Sequence, residues 1–364
     1  MLRNDERRPL YVQLKDAIIR DIIEGRRPPG SRMPPTVQLA GEYGVCHKTV
    51  QAAMSALTRE GLVTRRPRHG TFVAHVCVEE LRELSRKPRV ALLMPYLGEE
   101  FTSSLFVKDM IDGVVRTAEE CGCRLDFSVY SNFDSLVIDR SLTGCLLIRP
   151  EREEARKFKN LGLPALLLDI SHPRLGVGFV QTDNIDGVMQ AIKYLVGLRH
   201  TKILYAHNCY AAGHSFSASQ RMRGFQKAAK RYRLPVEGYA VLVDDLIDRL
   251  ETIDFTAVIT DGYNATIRTL DALRRKSIRI PDDVSFVGFD DVEMAEHMPV
   301  PLTVVRQRLD VIGMMGLQNL LNSEMDLRRV AVLVKPELIV RASTSMANLS
   351  HSGSRSSNRE KHEA

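Results

Sequence analysis

The chain has 364 residues, of which 44% are hydrophobic and 26% are charged. That length predicts two to three domains, each large enough for its own core, and the composition is ordinary for a globular protein. There is no run of about 18 apolar residues, so no membrane span is expected. The N-terminus, MLRNDERRPL, is charged and lacks the apolar core of a secretory signal.

Positive charge is concentrated at one end of the chain. Residues 1–75 hold 13 Lys and Arg against 7 Asp and Glu, whereas the whole chain holds 51 against 45. The remaining residues carry 38 charges of each sign, so the first fifth of the chain holds the whole excess. A compact basic head on a neutral body is typical of a nucleic-acid-binding domain attached to another domain.

The cysteines show no disulfide or metal-binding pattern. They are Cys46, Cys77, Cys121, Cys123, Cys145 and Cys209, and no Cys-x-x-Cys pair occurs among them. The nearest pair, Cys121 and Cys123, has no His or Cys partner at ligand spacing. We therefore expect reduced thiols in a cytoplasmic protein, with no metal site and no cofactor.

The basic head reads as three helices and a hairpin. Leu14, Ile18 and Ile22 repeat every four residues and predict a first helix that ends at Gly25. Residues 36–43 and 47–60 predict two further helices, joined by a tight turn at 44–45, which is the spacing of a helix-turn-helix. The segments LVTRR and TFVAH then form a hairpin with basic residues at its tip.

This arrangement suits duplex DNA. The third helix can enter the major groove with its N-terminal turn, and the hairpin can lie on neighbouring phosphates or in the minor groove. In isolation, a basic hairpin tip is better read as a solvated surface turn, but the preceding helix-turn-helix favours DNA. The candidate DNA-binding residues are Arg32, Thr36, His47, Lys48, Thr49, Gln51, Arg65, Arg66, Arg68, His69 and Gly70.

The head resembles the GntR-type winged helix from about residue 9 to 75. The motifs that carry the resemblance are PLYVQLKDAIIRDIIEG, PPGSRMPP, LAGEYGV, KTVQAAMSAL, EGLV and HGTFV, in order and at the right spacing. This sequence departs from the family where Pro35, Thr36 and Val37 replace the common Ser-Glu-Arg, Cys46 and His47 replace Ser-Arg, and Gln51 replaces an Arg. The resemblance implies the fold, whereas the operator sequence stays open.

The body alternates short apolar runs with amphipathic stretches. The runs predict strands buried on both faces and cover residues 89–96, 145–150, 164–170, 201–207, 256–261 and 283–290. Between two of them, Ile185, Val188, Met189, Ile192 and Leu195 share one helix face. The fold class is therefore α/β, with parallel sheets wound by right-handed crossovers behind the winged head.

Residues 88–341 resemble the sugar-sensing domain of LacI-type repressors, which is similar to periplasmic sugar-binding proteins. The motifs are TDN followed by Gly187, LRH at 198–200, RMRGF at 221–225, IPDDVS at 280–285, GFDD at 288–291, and PLT followed by Arg306 and Gln307. The resemblance implies two doubly wound subdomains with a ligand cleft between them. Carried over by position, the effector-binding candidates are Tyr96, Phe101, His172, Arg221, Thr260, Asp261, Asp290 and Gln307.

Each effector candidate has a structural alternative. Arg221 and Asp290 can each direct two hydrogen bonds to sugar hydroxyls, but Arg221 also suits an ion pair at a domain interface. Asp261 is as well placed to cap the next helix, and Gln307 to act as a hinge. Tyr96 and Phe101 fit a core as well as a sugar face. Asp183 and Asn184 read as residues that fix a turn and a helix start.

The predicted organisation has four parts. Residues 1–75 form the winged helix-turn-helix domain, 76–87 a charged linker, 88–341 the effector-binding and dimerisation domain, and 342–364 a Ser-rich disordered tail. Only a short stretch separates Tyr130 from Gly144, so the helix common there in the family is expected to be truncated.

The function we predict is a sequence-specific transcription regulator, with repression implied by the family resemblance. No nucleophile elbow or phosphate-binding loop occurs, so catalysis is not expected. The expected partners are a double-stranded DNA operator, a small effector of carbohydrate type and a second copy of the chain, because one head covers only half of a palindrome. Two alternatives stay open: a sugar-modifying enzyme fused to a DNA-binding head, and a cleft that serves only dimerisation.

Overall fold

The computed structural model describes residues 10–75, 78–79, 87–95, 105–132, 142–208, 216–237, 239–291, 294–322 and 324–347. The chain divides into two compact units. The first holds residues 1–101, 115–165 and 320–323, and the second holds 102–114, 166–319 and 324–364. Among the described residues, every helix is too short or too polar to cross a membrane.

The head consists of α1 (Leu10–Ile23), α2 (Thr36–Tyr43), α3 (His47–Arg59), β1 (Val63–Arg66) and β2 (Gly70–Val73). The two strands pair antiparallel from Val63 opposite Val73 to Arg66 opposite Gly70. The apolar stripes predicted for the helices do form the core. Its fully buried members include Leu14, Ile18, Ile22, Leu39, Val50, Ala53 and Leu57.

A buried carboxylate joins the ends of the first two helices of the head. Asp21 accepts hydrogen bonds from Arg26 Nε at 2.8 Å, from Arg27 Nε at 3.2 Å and from the Tyr43 hydroxyl. Burial and the hydrogen bond to Asp21 raise the pKa of Tyr43 to about 12. Helix periodicity does not reveal this network, because only Asp21 lies within α1 and its partners lie beyond the helix or on α2.

The first unit also contains a run of parallel strands. In it, β3 (Arg89–Met94) pairs with both β4 (Arg124–Val129) and β5 (Gly144–Ile148). Helix α4 (Leu105–Glu120), whose residues 105–114 belong to the second unit, precedes β4, and α5 (Arg152–Leu161) follows β5. Side chains of β5 are buried along its whole length, as expected for a strand covered on both faces.

Three further parallel strands lie almost wholly in the second unit. They are β6 (Ala165–Leu168), β7 (Gly178–Thr182) and β13 (Ala331–Val334), in the order β6-β7-β13. After β7, the carboxylate of Asp183 accepts a hydrogen bond from the backbone N–H of Asp186 at 3.0 Å and so caps the next helix. Asp183 thus fixes a helix start, as its structural interpretation proposed.

The second unit also contains a sheet of six strands. The elements of this part of the chain are, in order, α6 (Asn184–Gly197), β8 (Ile203–His207), α7 (Phe216–Tyr232), β9 (Ala240–Leu242), α8 (Leu246–Arg249), β10 (Ala257–Thr260), α9 (Tyr263–Arg275), β11 (Ser285–Phe289), α10 (Met294–His297), β12 (Thr303–Arg306), α11 (Leu309–Leu321) and β14 (Glu337–Ile339). The strands lie in the order β14-β12-β11-β10-β8-β9, and all neighbouring pairs are parallel except β12 with β14. The central strands β8, β10 and β11 supply side chains to two separate apolar cores, as a doubly wound sheet requires.

The ordered chain extends further than the sequence predicted. We expected disorder from Ala342, but residues 342–347 are held against the last sheet. Ser343 Oγ donates to the carbonyl oxygen of Phe286 at 2.6 Å and accepts from the backbone N–H of Thr303 at 2.8 Å. The carbonyl of Ser345 lies 3.0 Å from His200 Nε2. Polar composition concealed this segment because its serines pair with the sheet instead of with water; the rest of the predicted tail, from 348, lies outside the described residues.

The predicted linker 76–87 and the expected truncation between Tyr130 and Gly144 fall mostly on residues that the structure does not describe. These two expectations therefore stay predictions.

Candidate functional sites

The N-terminal turn of α3 presents the polar residues that we assigned to base contacts. His47, Lys48 and Gln51 are exposed, and Thr49 is half-buried. Thr49 Oγ1 lies 3.2 Å from the thiol of Cys46, and this side-chain hydrogen bond lowers the pKa of Cys46. Helix α3 has no side-chain cap at Cys46, where the GntR family commonly has Ser.

The hairpin places its basic side chains at and near one tip. Arg65, Arg66, Arg68 and His69 are exposed. Arg68 adopts a φ of 63°, in the left-handed region that a tight turn requires. The tip is therefore a sharp cationic turn, a shape that suits a phosphate backbone or a narrow minor groove.

A third segment supports the hairpin. Arg32 forms an antiparallel bridge with Phe72, and its guanidinium lies against Gly70, where an added Cβ would stand 3.1 Å from Arg32 Nε. The guanidinium carbon of Arg66 lies 4.7 Å from the ring centroid of Phe72. The ring of Phe72 thus lies beneath Arg66, and its backbone pairs with that of Arg32; both arginines are candidate DNA-binding residues. Our sequence reasoning missed this residue, although an aromatic between basic hairpin positions was a visible signal.

The remaining candidate of the head, Thr36, is the first residue of α2 and is half-buried. The preceding Pro35 gives α2 no side-chain cap. Thr36 therefore stands at an uncapped helix N-terminus, a position that favours a phosphate oxygen.

In the body, polar residues gather where the strands of the last sheet end. Asn208 follows β8, Asp261 follows β10 and Asp290 follows β11, while Arg221 reaches them from α7. These three strands are neighbours and parallel, so their carboxyl ends meet at one edge. That edge is where open α/β sheets bind ligands.

Arg221 is the buried centre of this cluster. Its Nε donates to Asn184 Oδ1 at 2.7 Å, and its Nη1 donates to the carbonyl oxygen of Asp261 at 2.5 Å. The guanidinium carbon lies 3.7 Å from the ring centroid of Phe289, and Nη1 is 3.9 Å from Asp290 Oδ2. Among the described residues, Nη2 has no hydrogen-bond partner, so one edge of the fork remains available to a ligand.

Asp261 is a carboxyl group with an unusual environment. Burial raises its pKa to about 6, although backbone N–H donation from Asn208 and the charge of Arg221 act in the opposite direction. Asn208 N lies 3.1 Å from Asp261 Oδ2, and the side-chain oxygen of Asn208 is buried without a partner in the part of the chain that the structure describes. Asp261 does not cap the following helix, α9, so the alternative interpretation of Asp261 as a helix cap is wrong.

Asp290 takes the capping role instead. Its Oδ2 accepts from the backbone N–H of Tyr263, the first residue of α9, at 3.2 Å. Its Oδ1 accepts from Gln307 Nε2 at 2.6 Å, and Gln307 Oε1 accepts from the Thr182 hydroxyl at 2.6 Å. Asp290 holds a φ of 77°, an uncommon left-handed conformation for a residue with a side chain. Gln307 is thus a connector between Asp290 and the end of β7.

One effector candidate is corrected by the structure. Thr260 is fully buried, and its hydroxyl lies 2.6 Å from that of Thr266 on α9. Its side chain braces the helix against the sheet and does not face the cluster, because alternate residues of a strand point to opposite faces. Its place in the family motif gave no sign of this orientation.

The other candidates lie elsewhere. His172 stands in the turn after β6, where its carbonyl oxygen accepts from the backbone N–H of Leu175 at 3.1 Å, and β6 belongs to the other sheet. Tyr96 and Phe101 lie outside the described residues. The cluster therefore joins four of the candidates: Arg221, Asp261, Asp290 and Gln307. It also contains four residues that the sequence did not mark as effector contacts: Asn208, Asn184, Gln220 and Phe289. Among these, Asn184 was predicted to have a structural role. Asn184 donates to Gln220 Oε1 at 3.2 Å.

No group of three or more His, Cys, Asp or Glu side chains that could hold a metal ion occurs in the described ranges.

Two family models match separate parts of the chain. Residues 10–73 match the model described as bacterial regulatory proteins of the gntR family, and residues 192–344 match a periplasmic binding protein-like domain. Both resemblances predicted from the sequence motifs are confirmed, and with them the prediction of a transcription regulator.

Curated relatives and solved structures agree with these matches. An arabinose metabolism transcriptional repressor of Geobacillus stearothermophilus is 24% identical, covering 92% of this chain and 98% of its own length. An HTH-type transcriptional repressor PurR of Vibrio parahaemolyticus is 24% identical over 68% of this chain and 80% of its own. A transcriptional regulator CelR–cellobiose complex has a TM-score of 0.62 at 21% identity, covering 85% of this chain and 100% of that one. A lac repressor dimer bound to operator also has a TM-score of 0.62, at 18% identity over 74% and 99%. These structures confirm the predicted fold of parallel-sheet α/β subdomains.

Proposed function

We infer that this chain, which joins a GntR-type helix-turn-helix head to a periplasmic-binding-protein-like domain, is a transcriptional repressor controlled by a carbohydrate. Two heads of a homodimer bind a palindromic operator, and the body binds a small polyhydroxy effector. The effector changes operator affinity only through its different affinities for the DNA-bound and free forms. Repression is supported by the names of the full-length relatives.

The observation that carries the effector proposal is the cluster around Arg221. It offers one free guanidinium edge, a carboxyl group with raised pKa and a buried amide oxygen, all at the carboxyl ends of parallel strands. Donors and acceptors placed side by side match the hydroxyl groups of a sugar, each of which both donates and accepts. His172 and Gln307 complete the proposal as an outer contact and a connector, whereas Tyr96 and Phe101, which lie outside the described residues, stay sequence-based candidates for stacking on a sugar.

The effector site is tested by thermal shift with a panel of sugars. The panel contains L-arabinose and cellobiose, because a relative is named for arabinose metabolism and a similar structure holds cellobiose. A binding sugar should raise the melting temperature of the wild type, and Arg221→Lys should weaken binding tenfold or more, since charged hydrogen bonds contribute about 1.5–3 kcal/mol.

Arg221 also supports the fold, so a second variant is needed. Asp261→Asn keeps the shape of the side chain, and Arg268→Ala on the exposed side of α9 is the control. A sugar that stabilises all three variants as it does the wild type would place the effector elsewhere.

The DNA interface is tested by the salt dependence of duplex binding. Arg68→Ala should reduce the slope of log K against log salt by about one unit, because one phosphate contact is lost. Arg20→Ala, at the exposed end of α1, is the matched control and should leave the slope unchanged. An unchanged slope in Arg68→Ala would remove the hairpin tip from the interface.

We propose a sensor and not an enzyme. The same samples decide this point, because a bound sugar recovered unchanged after long incubation supports a sensor. A converted sugar would favour the alternative of an enzyme with a DNA-binding head.

A further inference from the structure

One face of α7 carries only positive charge. Residues 216–236 contain six Lys and Arg and no Asp or Glu. Arg221 is buried in the cluster described above, whereas the other five are exposed. We call these five the α7 face: Arg223, Lys227, Lys230, Arg231 and Arg233. The first four recur at i, i+4, i+7 and i+8, so they lie on one side of the helix.

The opposite side of α7 is packed against α6. Gly224 allows the close approach, because an added Cβ would stand 2.9 Å from the carbonyl oxygen of Ile185. Phe225, Ala228 and Ala229 are fully buried. The inward side therefore accounts for the stability of the helix, and the outward side is free to carry another role.

In the part of the chain that the structure describes, the α7 face is not paired with acidic side chains. None of its five side chains forms an ion pair or a hydrogen bond with any described residue, and Arg231 only approaches the ring of Tyr232, at 5.9 Å. Many other cations of the second unit are paired: Lys202 with Asp254, Arg268 with Asp244, Lys276 with Glu251, Arg279 with Asp283, and Arg308 with Glu337. Like charges four residues apart, such as Arg223 with Lys227, cost helix stability. The fold thus does not benefit from this pattern, which points to an anionic partner.

The composition of the face indicates which anion. Protein–protein interfaces have apolar and aromatic anchors at their centre and are depleted in Lys, but α7 exposes no large apolar side chain. The four helical positions, from Arg223 to Arg231, form a row of about 12 Å that bears only Lys and Arg, and such a row fits a polymer with closely spaced phosphates. We propose that the α7 face is a second DNA-binding surface, which contacts the phosphates of duplex DNA without reading its sequence. It goes beyond the operator contacts of the head.

The test separates this surface from the head. All variants are made in the full chain. The hairpin-neutral protein carries Arg65→Gln, Arg66→Gln and Arg68→Gln. The α7 variant adds four further changes to it: Arg223→Gln, Lys227→Gln, Lys230→Gln and Arg231→Gln. A control adds four changes of equal charge on the exposed side of α5 instead: Arg152→Gln, Arg156→Gln, Lys157→Gln and Lys159→Gln. The probe is a short fluorescent duplex of arbitrary sequence, followed by anisotropy over a range of salt concentrations.

The hairpin-neutral protein should retain salt-dependent binding. The α7 variant should lose roughly two to four units of salt slope, since each phosphate contact contributes about 0.9, and the α5 control should keep the slope. Equal slopes in the α7 variant and the α5 control would overturn the proposal. The proposal would also be overturned if the hairpin-neutral protein bound poly-glutamate through the α7 face but did not bind duplex DNA, since this would identify an acidic protein as the partner.

This experiment can be distinguished from the test of DNA binding by the head. An α7 variant with an intact hairpin should still select the operator, so the Arg68→Ala experiment reports on the head whatever happens at α7. Because the substituted side chains are exposed, thermal unfolding should show an unchanged fold.

Discussion

Two glycines allow α4 and α11 to cross in backbone contact, and adding one methyl group there tests the packing directly. A Cβ at Gly113 would stand 2.1 Å from the carbonyl oxygen of Asp310, and one at Gly313 would stand 2.1 Å from that of Met110. Both distances are more than 1 Å short of ordinary contact, and the obstacle is backbone in each case. The helices must therefore separate if either glycine becomes alanine.

The magnitude follows from two opposing terms. Alanine in a helix is favoured over glycine by about 1 kcal/mol, whereas overpacking typically costs about 1–3 kcal/mol and more where backbone must move. We expect Gly113→Ala to lower the free energy of unfolding by about 2 kcal/mol. For a body of this size, that corresponds to a loss of about 4–8 °C in melting temperature.

The assay is calorimetry of the unfolding transition of the body, with Gly197→Ala as control. Gly197 is the last residue of α6 and has nothing within 4 Å of its added Cβ, so this variant should be neutral or slightly stabilised. The double variant Gly113→Ala, Gly313→Ala should cost less than the sum of the single variants, since the first methyl already separates the helices. A Gly113→Ala protein as stable as Gly197→Ala would refute the close crossing.

Two further predictions concern the functional sites. Burial raises the pKa of Asp261 to about 6, so the folded state holds an extra proton between about pH 4 and pH 6, and stability should fall as pH rises through that window. Urea unfolding across it should show a flatter profile for Asp261→Asn, and an identical profile would contradict the raised pKa. In the head, Phe72→Leu removes the ring beneath Arg66 and should weaken duplex binding about two- to fivefold, from a cation–π contact of about 0.5–1 kcal/mol. Phe72→Tyr should bind DNA as the wild type does, and a Leu variant of unchanged affinity would show that the ring does not position Arg66.

The sequence predicted the central strands well because they are buried on both faces. Strand β10 was expected over 256–261 and is observed at Ala257–Thr260, and β11 was expected over 283–290 and is observed at Ser285–Phe289. By contrast, β4 and β13 are edge strands with partly exposed side chains, so they lack the continuous apolar run that marks a buried strand. The bounds of α2 were also predicted as observed, because a turn on each side of this helix limits its length.

The polar cluster shows what a sequence motif does not contain. Motif positions identified Arg221 and Asp290, but the choice between ligand contact and internal pairing depends on which atoms already have partners. In Arg221 both roles occur within one side chain. Its Nε and Nη1 donate hydrogen bonds to the protein, whereas its Nη2 has no partner among the described residues. Such distances arise from the crossing of α7 over the sheet, which no local pattern encodes.

This division has an energetic consequence for binding. With only 8% of its side chain exposed, two hydrogen bonds and a ring beneath it, Arg221 is held in one conformation before a ligand arrives. A ligand that pairs with Nη2 therefore loses little affinity to the ordering of a long side chain, which costs about 0.5–1.5 kcal/mol for a mobile one. In the effector site that we propose, the network that holds Arg221, through Asn184, Asp290 and Gln307, contributes to affinity by fixing that side chain. Substitutions in that network should thus weaken effector binding by loosening Arg221, even where every contact to the effector is preserved.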